Sequence, residues 1–334
     1  MATKTRTTKT TAASKSPSSR NPALQPVRSP IKVARVKPAA NVFGAVTLTH
    51  PDRVVFPADG ITKLDVAEYY RQVMPWLLAG IGGRPLSVIR CPAGISGECF
   101  FQKHLKPGLK HVGSVSLKEE SGSTGVYVYV DDANGAFELV QFNALEFHPW
   151  GATAADPARA QYLVFDLDPA PEIAWSRVVA AAIDVRDLLA KAGLKSFVRT
   201  TGGKGLHVVV PLRPAVRWDR AKKFAHALAD SFAAVRPDEF LAVASKQQRD
   251  GRIFIDYLRN TRGATSVASY SLRARPGAPV AMPLRWAELK TLESGDAFNI
   301  GNVPARLKRM RGDPWPGYDS LRQNLDGIAA FPRE

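Results

Sequence analysis

Asp166 and Asp168 stand one residue apart in LVFDLDPAPE (163–172), inside an otherwise apolar run. In a strand successive side chains alternate faces, so Leu163, Phe165 and Leu167 share one face and Val164, Asp166 and Asp168 the other. Neighbouring carboxylates on a half-buried face repel one another unless a cation or a shared proton compensates them, which points to ligation of a divalent metal ion. Asp256 is set in the same way in RIFIDYLRN (252–260), where Phe254, Asp256 and Leu258 share a strand face. In-line phosphoryl or nucleotidyl transfer uses two metal ions roughly 3.5–4 Å apart, and an Asp-x-Asp pair with a distant aspartate supplies carboxylates able to bridge them. The competing explanation of an isolated Asp-x-Asp is a loop or capping feature.

The segment TTGGKGLHVVV (200–210) adds groups suited to phosphate. Gly202, Gly203 and Gly205 free the backbone to approach an anion, Lys204 supplies a point charge, and His207 lies on the strand that follows. It is not a Walker A loop, because Leu206 stands where Ser or Thr would coordinate magnesium and a β-branched strand follows where a helix should begin. Taken alone, it also reads as a hairpin turn with an exposed lysine. The remaining candidates have similarly plain alternatives. His148 reads as a satisfied core histidine, and Arg249, Arg259 and Arg273 read as solvated charges. Phe100 and Phe101, in ECFFQKH, read as core aromatics or, beside Lys103, as a platform for stacking bases.

These residues need a scaffold, and the hydrophobic pattern provides one. Thr62 and Asp65 have capping-box spacing, and Leu64, Ala67, Tyr70, Val73 and Met74 continue with helical periodicity. RPLSVIRCPAG, GECFFQKHL, GVYVYVDD and FELVQFNALEFH read as strand-rich segments between Gly- and Pro-bearing turns. A helix is predicted over 174–194, closed by Gly193, then two strands around the glycine turn in SFVRTTGGKGLHVVVPL, then a helix in WDRAKKFAHALADSFAAV. The expected class is α/β or α+β, with largely antiparallel sheets flanked by helices and no internal repeat. The expected divisions are an N-terminal module over 41–150, a C-terminal module over 151–275 and a surface-wrapping segment over 276–334.

Charge narrows the partners. The 334 residues carry 46 Lys and Arg against 30 Asp and Glu, a net charge of +16 that suggests a polyanion. Residues 1–40 hold nine of the basic residues and no acid, with no apolar periodicity, and read as a disordered basic tail or linker. About +7 remains for the rest, enough for a basic groove. No apolar run approaches the ~18 residues of a membrane span and no apolar leader opens the chain, so a cytoplasmic location is expected. Cys91 and Cys99 sit too near one another and too alone for a disulfide framework or a four-ligand zinc site and read as packing residues.

Taken in order, FDLDP, TTGGKGLH, IFIDYLRN and YSLRARPGAPV resemble the polymerase domain of bacterial DNA ligase D, in the archaeo-eukaryotic primase superfamily. The similarity begins near LTHPDRVVFPADGITK (48–63) and covers nearly all of the chain except the tail. The resemblance implies a two-module primase-type core in which Asp166, Asp168 and Asp256 are catalytic ligands of two divalent ions, manganese or magnesium. It places Thr201, Lys204 and His207 along a nucleoside triphosphate, completed by His148, Arg249, Arg259 and Arg273. Thr201 stands where the family commonly has serine, which keeps the hydroxyl. Phe100 and Phe101 match an aromatic pair that stacks on bases, and Arg53 and Lys63 match the pair that receives the 5′-phosphate of a broken DNA end. Lys63 falls in the first turn of a helix, whose N–H groups would add to that anion site. The implied activity is addition of nucleotides, with ribonucleotides favoured, to 3′ ends at gaps and breaks in non-homologous end joining. The implied partners are DNA, Ku and a ligase, and the implied location is the bacterial nucleoid. FDLDP also resembles the first motif of haloacid-dehalogenase phosphatases, but Pro169 and Ala170 replace the glycine and Thr or Val of that pattern. A catalytically silent DNA-binding protein is the third possibility, against which all three aspartates stand.

Overall fold

The computed structural model describes residues 41–104, 108–119, 122–244, 249–328 and 331, all within the unit Ile31–Glu334; the predicted basic tail lies outside the described residues. The described residues open with two small antiparallel pairs, β1 (Val42–Phe43) with β2 (Val46–Thr47) and β3 (Val54–Phe56) with β4 (Ile61–Thr62). Thr62 then closes the predicted capping box: its N–H donates to Asp65 Oδ2 at 2.8 Å and its hydroxyl oxygen accepts from the Asp65 N–H at 3.2 Å. From this cap α1 (Lys63–Ile81) buries Val66, Tyr70, Val73, Leu77 and Ile81, a three-and-four spacing that turns one face to the core.

A five-stranded sheet follows, built from β5 (Leu86–Arg90), β6 (Phe100–Gln102), β7 (Gly113–Lys118), β8 (Thr124–Tyr129) and, beyond α2 (Ala133–Gln141), β9 (Ala144–Pro149). Two sequence expectations are corrected here. The first half of FELVQFNALEFH is helix rather than strand. Asp132 caps α2 by accepting from the Gly135 N–H at 3.1 Å, and Asn143, at φ 64°, turns the chain into β9. Cys91 and Cys99 are joined as a disulfide rather than packed as free thiols. The β5–β6 register pairs Arg90 with Phe100, so the next residues outward along the hairpin face each other, a juxtaposition that spacing alone does not reveal.

The second sheet has six strands. In chain order they are β10 (Arg159–Pro169), β11 (Phe197–Thr200) after α3 (Trp175–Lys191), β12 (Leu206–Arg217), β13 (Phe240–Leu241) after α4 (Trp218–Val235), β14 (Ile253–Asp256) and β15 (Pro283–Leu284). The spatial order is β13-β14-β10-β12-β11-β15, antiparallel throughout except between β13 and β14. A 3-10 turn over Leu258–Asn260 follows β14, a second covers Trp286–Lys290, and α5 spans Val303–Arg309.

The predicted alternation along β10 holds. Leu163, Phe165 and Leu167 are fully buried in the main core, which also takes in Val185 of α3 and Leu228 of α4, whereas Val164 joins a separate cluster with Phe197, Val209 and Trp315 on the opposite face. The main core runs through both sheets, since Tyr70 and Phe147 belong to it along with Phe165. The segment from 276 onward does more than wrap the surface: Val280, Met282 and Leu284 are buried in that core, and β15 extends the sheet.

Candidate active site

Cross-strand register places the aspartates. Asp166 of β10 faces Asp256 of β14 on one side and His207 of β12 on the other, and His207 in turn faces Arg199 of β11. Directly opposed residues share a sheet face, so Asp256, Asp166, His207 and Arg199 form one polar row beside the apolar row of Val164, Val209 and Phe197. Asp168 lies two residues further along β10 on the same face. The 3-10 turn after β14 is pinned by buried Asn260, which exchanges 2.8 Å hydrogen bonds with both the N–H and the carbonyl of Val164. This anchoring sets Arg259 between two carboxylates, its Nε 3.2 Å from both Asp166 Oδ2 and Asp256 Oδ2. Arg249 pairs with the more exposed Asp168.

The charges are unevenly balanced. Burial raises the Asp256 carboxyl, and the charges of Asp166 and Asp168 push the same way against Arg259. Burial acts on Asp166 too, but His207 and then Arg259 outweigh it and hold that carboxyl well below the usual range. His207 is pushed down to about 4 by burial against the attraction of Asp166, so the ring is neutral at pH 7. Arg199 Nε donates to His207 Nδ1 at 3.1 Å, which leaves the ring proton on Nε2, 3.3 Å from Asp166 Oδ1.

Between β11 and β12 the glycine turn folds over this row. A Cβ on Gly205 would lie 2.3 Å from the Leu167 carbonyl oxygen, so only glycine lets the turn approach β10, and Gly202 has φ 66°. The Thr201 hydroxyl donates to the Gly205 carbonyl at 3.1 Å, closing the turn and leaving Lys204 exposed at its tip. Across the cavity, buried Glu146 accepts from His148 Nε2, Arg273 Nε and the Ala274 N–H, each at 2.8 Å. Burial pushes Glu146 up, but the His148 hydrogen bond and the Arg273 charge overcome it and hold the carboxyl at about 2. Arg273 also donates to the Thr201 carbonyl, tying this wall to the glycine turn.

The result is a cavity of about 440 Å³ lined by His148, Asp166, Asp168, Thr201, Lys204, His207, Arg259 and Arg273, together with Thr265, Ser266 and Arg275. Asp256 and Arg249 adjoin it through their pairings with Arg259 and Asp168. Phe101 meets the His148 ring edge-on at 5.5 Å, and Phe100 and Phe101 are 39% and 46% exposed, unlike core aromatics. Sequence reasoning passed over Glu146 and Arg199, although each is a charged residue in an apolar strand, the signal that marked Asp166. Nothing in the sequence singles out Asn260, Thr265 or Ser266.

The profile described as "LigD, primase-polymerase domain" matches residues 62–315. The chain belongs to the LigD primase-polymerase domain family. It is 39% identical over 312 residues to the multifunctional non-homologous end joining protein LigD of Pseudomonas aeruginosa, a match covering 91% of this chain and 36% of the relative. The bifunctional LigD of Bacillus subtilis is 29% identical over 286 residues, 85% of this chain and 46% of the relative. The chain thus spans between a third and a half of the length of these relatives. A solved structure, the polymerase domain of Mycobacterium tuberculosis ligase D in complex with DNA, superposes with a TM-score of 0.76 at 33% identity, over 83% of this chain and 99% of that one. The mixed α/β architecture is that of the LigD polymerase domain, and as a member of this family the chain is a nucleotidyltransferase.

The carboxylates of Asp166, Asp168 and Asp256 are the hard oxygen donors that divalent ions prefer. Among the described residues no group of three His, Cys, Asp or Glu side chains is drawn together closely enough to hold a metal ion as it stands, and Arg249 and Arg259 pair with the aspartates instead. The donor chemistry fits: burial and then the charges of Asp166 and Asp168 raise Asp256, and a cation would favour its ionised form against both. No described helix is long and apolar enough to cross a membrane.

A smaller pocket of about 170 Å³ holds the other predicted pair, Arg53 and Lys63, with Arg90. Lys63 is almost fully buried, and its Nζ donates to the Gln141 carbonyl at 2.7 Å, Gln141 Oε1 at 3.0 Å and the Thr49 carbonyl at 3.1 Å. Burial and then the Arg53 charge lower it to about 8. The expectation that helix N–H groups join this anion site is corrected. The Lys63 and Leu64 N–H groups donate to the Arg53 and Pro51 carbonyls, and that of Asp65 donates to Thr62. The first-turn N–H groups of α1 are therefore not turned to an anion there.

Proposed function

We propose that the chain adds nucleotides, ribonucleotides preferentially, to DNA 3′ ends at gaps and double-strand breaks in non-homologous end joining, beside Ku and a ligase. The observation that carries this reading is the polar row Asp256–Asp166–His207 lying against the glycine turn with Lys204 at its tip. Lys204 and the turn backbone bind the triphosphate, with Thr201 shaping the turn. His207, held in one tautomer by Arg199, orients Asp166 through Nε2. Asp166, Asp168 and Asp256 would hold two divalent ions, manganese or magnesium, which when bound supply the positive charge that eases deprotonation of the primer 3′-hydroxyl and neutralises the departing pyrophosphate. Arg249 and Arg259, which neutralise these carboxylates here, would then be free to pair with the phosphates, and Arg273 keeps the Glu146 wall in register. Phe100 and Phe101 offer exposed rings to bases, and Arg53 with Lys63 receives the 5′-phosphate across the gap.

Primer extension on gapped DNA with manganese or magnesium, comparing ribonucleotides with deoxyribonucleotides, tests the activity; no incorporation of either would refute it. A 5′-phosphate downstream of the gap should tighten binding, and Arg53→Ala should remove roughly 1.5–3 kcal/mol of that gain. An undiminished preference for the phosphorylated gap in the variant would exclude the pocket.

A further inference from the structure

Further along β10 and β12, on the same sheet face as Asp166, Tyr162, Val209 and Trp315 border a second cleft of about 180 Å³. The wall it shares with the active site is Arg199, only 6% exposed, whose Nε holds His207 and whose terminal nitrogens donate to Ser266 Oγ at 3.0 Å and Ser269 Oγ at 3.3 Å. Arg84 and Arg213 line the same cleft. Among the described residues neither Arg84 nor Arg199 has a carboxylate partner, while Arg213 has the exposed Asp319 at 3.2 Å. Arg84 lies over the Tyr162 ring at 5.1 Å and donates Nη2 to Gln161 Oε1 at 2.7 Å, which leaves Nη1 buried without a hydrogen-bond partner. The hydroxyl of Tyr270, another lining residue, is likewise buried and unpartnered. All three arginines border this one cleft, as do the exposed carboxylates of Asp313 and Asp319, and Arg213 Nη1 donates to the Tyr318 carbonyl at 2.7 Å.

Guanidinium groups on one small cleft repel one another, and buried N–H and O–H donors without acceptors are costly; an anion with several acceptor oxygens relieves both. We propose that this cleft is a second anion site, separate from the nucleotide-transfer centre, which takes a phosphoryl group through Arg84, Arg199 and Arg213. The phosphoryl anion arrives either free, as phosphate or pyrophosphate, or carried by a nucleotide whose base lies along Trp76 and Tyr162.

Equilibrium dialysis of the full chain without divalent metal, using labelled inorganic phosphate, pyrophosphate and adenosine monophosphate in separate arms, tests the assignment. The wild type should bind one equivalent of anion that Arg84→Met weakens at least about tenfold. Ala79→Glu should do the same by placing a carboxylate at the mouth from an exposed position on α1, with all three arginines kept. Nucleotide addition measured without added anion should stay unchanged in both variants. Lys204→Ala should keep this equivalent, which separates the cleft from the triphosphate site. Tighter binding of the monophosphate than of pyrophosphate identifies a nucleotide as occupant, and the reverse identifies a free phosphoryl anion. Equal stoichiometry and affinity in the wild type and both cleft variants, in all arms, would overturn the proposal.

Discussion

Asp256 and Glu146 are both buried acids, yet their surroundings push them in opposite directions. Asp256 is raised because burial and the charges of Asp166 and Asp168 outweigh Arg259 and the Leu258 N–H. Asp256→Ala should therefore leave the fold as stable as before or slightly more so, while slowing extension roughly a thousandfold, the effect of several kcal/mol on the barrier. Thermal melting beside a primer-extension assay checks both halves, and near wild-type extension would remove Asp256 from the centre. Glu146 is depressed from 4.5 to about 2, so its contribution is fully present above pH 4.5 and disappears as pH falls through about 2. Glu146→Gln should cost about 3 kcal/mol at pH 7, with the gap to wild type narrowing below pH 4.5. Urea unfolding at pH 7 and pH 3 measures it; a gap that is the same at both would show that packing, not charge, is responsible.

At the scale of elements, the site depends on four neighbouring strands keeping register, because Arg199 reaches His207 only when β11 and β12 pair as they do. Arg199→Met removes the donor that fixes the imidazole tautomer. Nitrogen chemical shifts of the His207 ring should then report a mixture in place of one tautomer. Extension should slow about ten- to a hundredfold with little change in nucleotide KM, and Arg199→Lys should restore part of it. Unchanged ring shifts in Arg199→Met would show that Asp166 or burial, not Arg199, sets the tautomer. The disulfide belongs to the same scale: the loop between Cys91 and Cys99 presents the Pro92 carbonyl to Arg53 Nη1 at 2.8 Å and leads directly into Phe100 and Phe101. One hairpin thus supports both the proposed phosphate pocket and the exposed aromatic pair.

For the whole molecule, charge is the property that acts at a distance. The net +16 divides into +9 on residues 1–40 and about +7 on the rest. Removing residues 1–40 should leave extension of short substrates intact and flatten the salt dependence of DNA binding, by roughly 0.9 units of log–log slope for each phosphate that is no longer neutralised. Binding measured across a series of salt concentrations decides this, and an unchanged slope would show that these residues do not engage DNA.

The sequence by itself determined the parts whose physics is local. Strand alternation separated Leu163, Phe165 and Leu167 from Asp166 and Asp168, the Thr62–Asp65 spacing placed the start of α1, and glycines marked the turn that must approach β10. The order of the four sequence motifs was enough to reach the family. Only the tertiary structure decided what depends on pairing between distant segments. It set Asp166 opposite Asp256 rather than merely near it, made Glu146 the buried hub of His148 and Arg273, and joined Cys91 to Cys99. It also turned FELVQ into a helix, because a cap at Asp132 and burial of Phe137 and Val140 outweigh the strand preference of those residues. The reason is common to these cases: alternation and capping are fixed by neighbours in sequence, whereas register, burial and the balance of charge are fixed by residues that folding brings close.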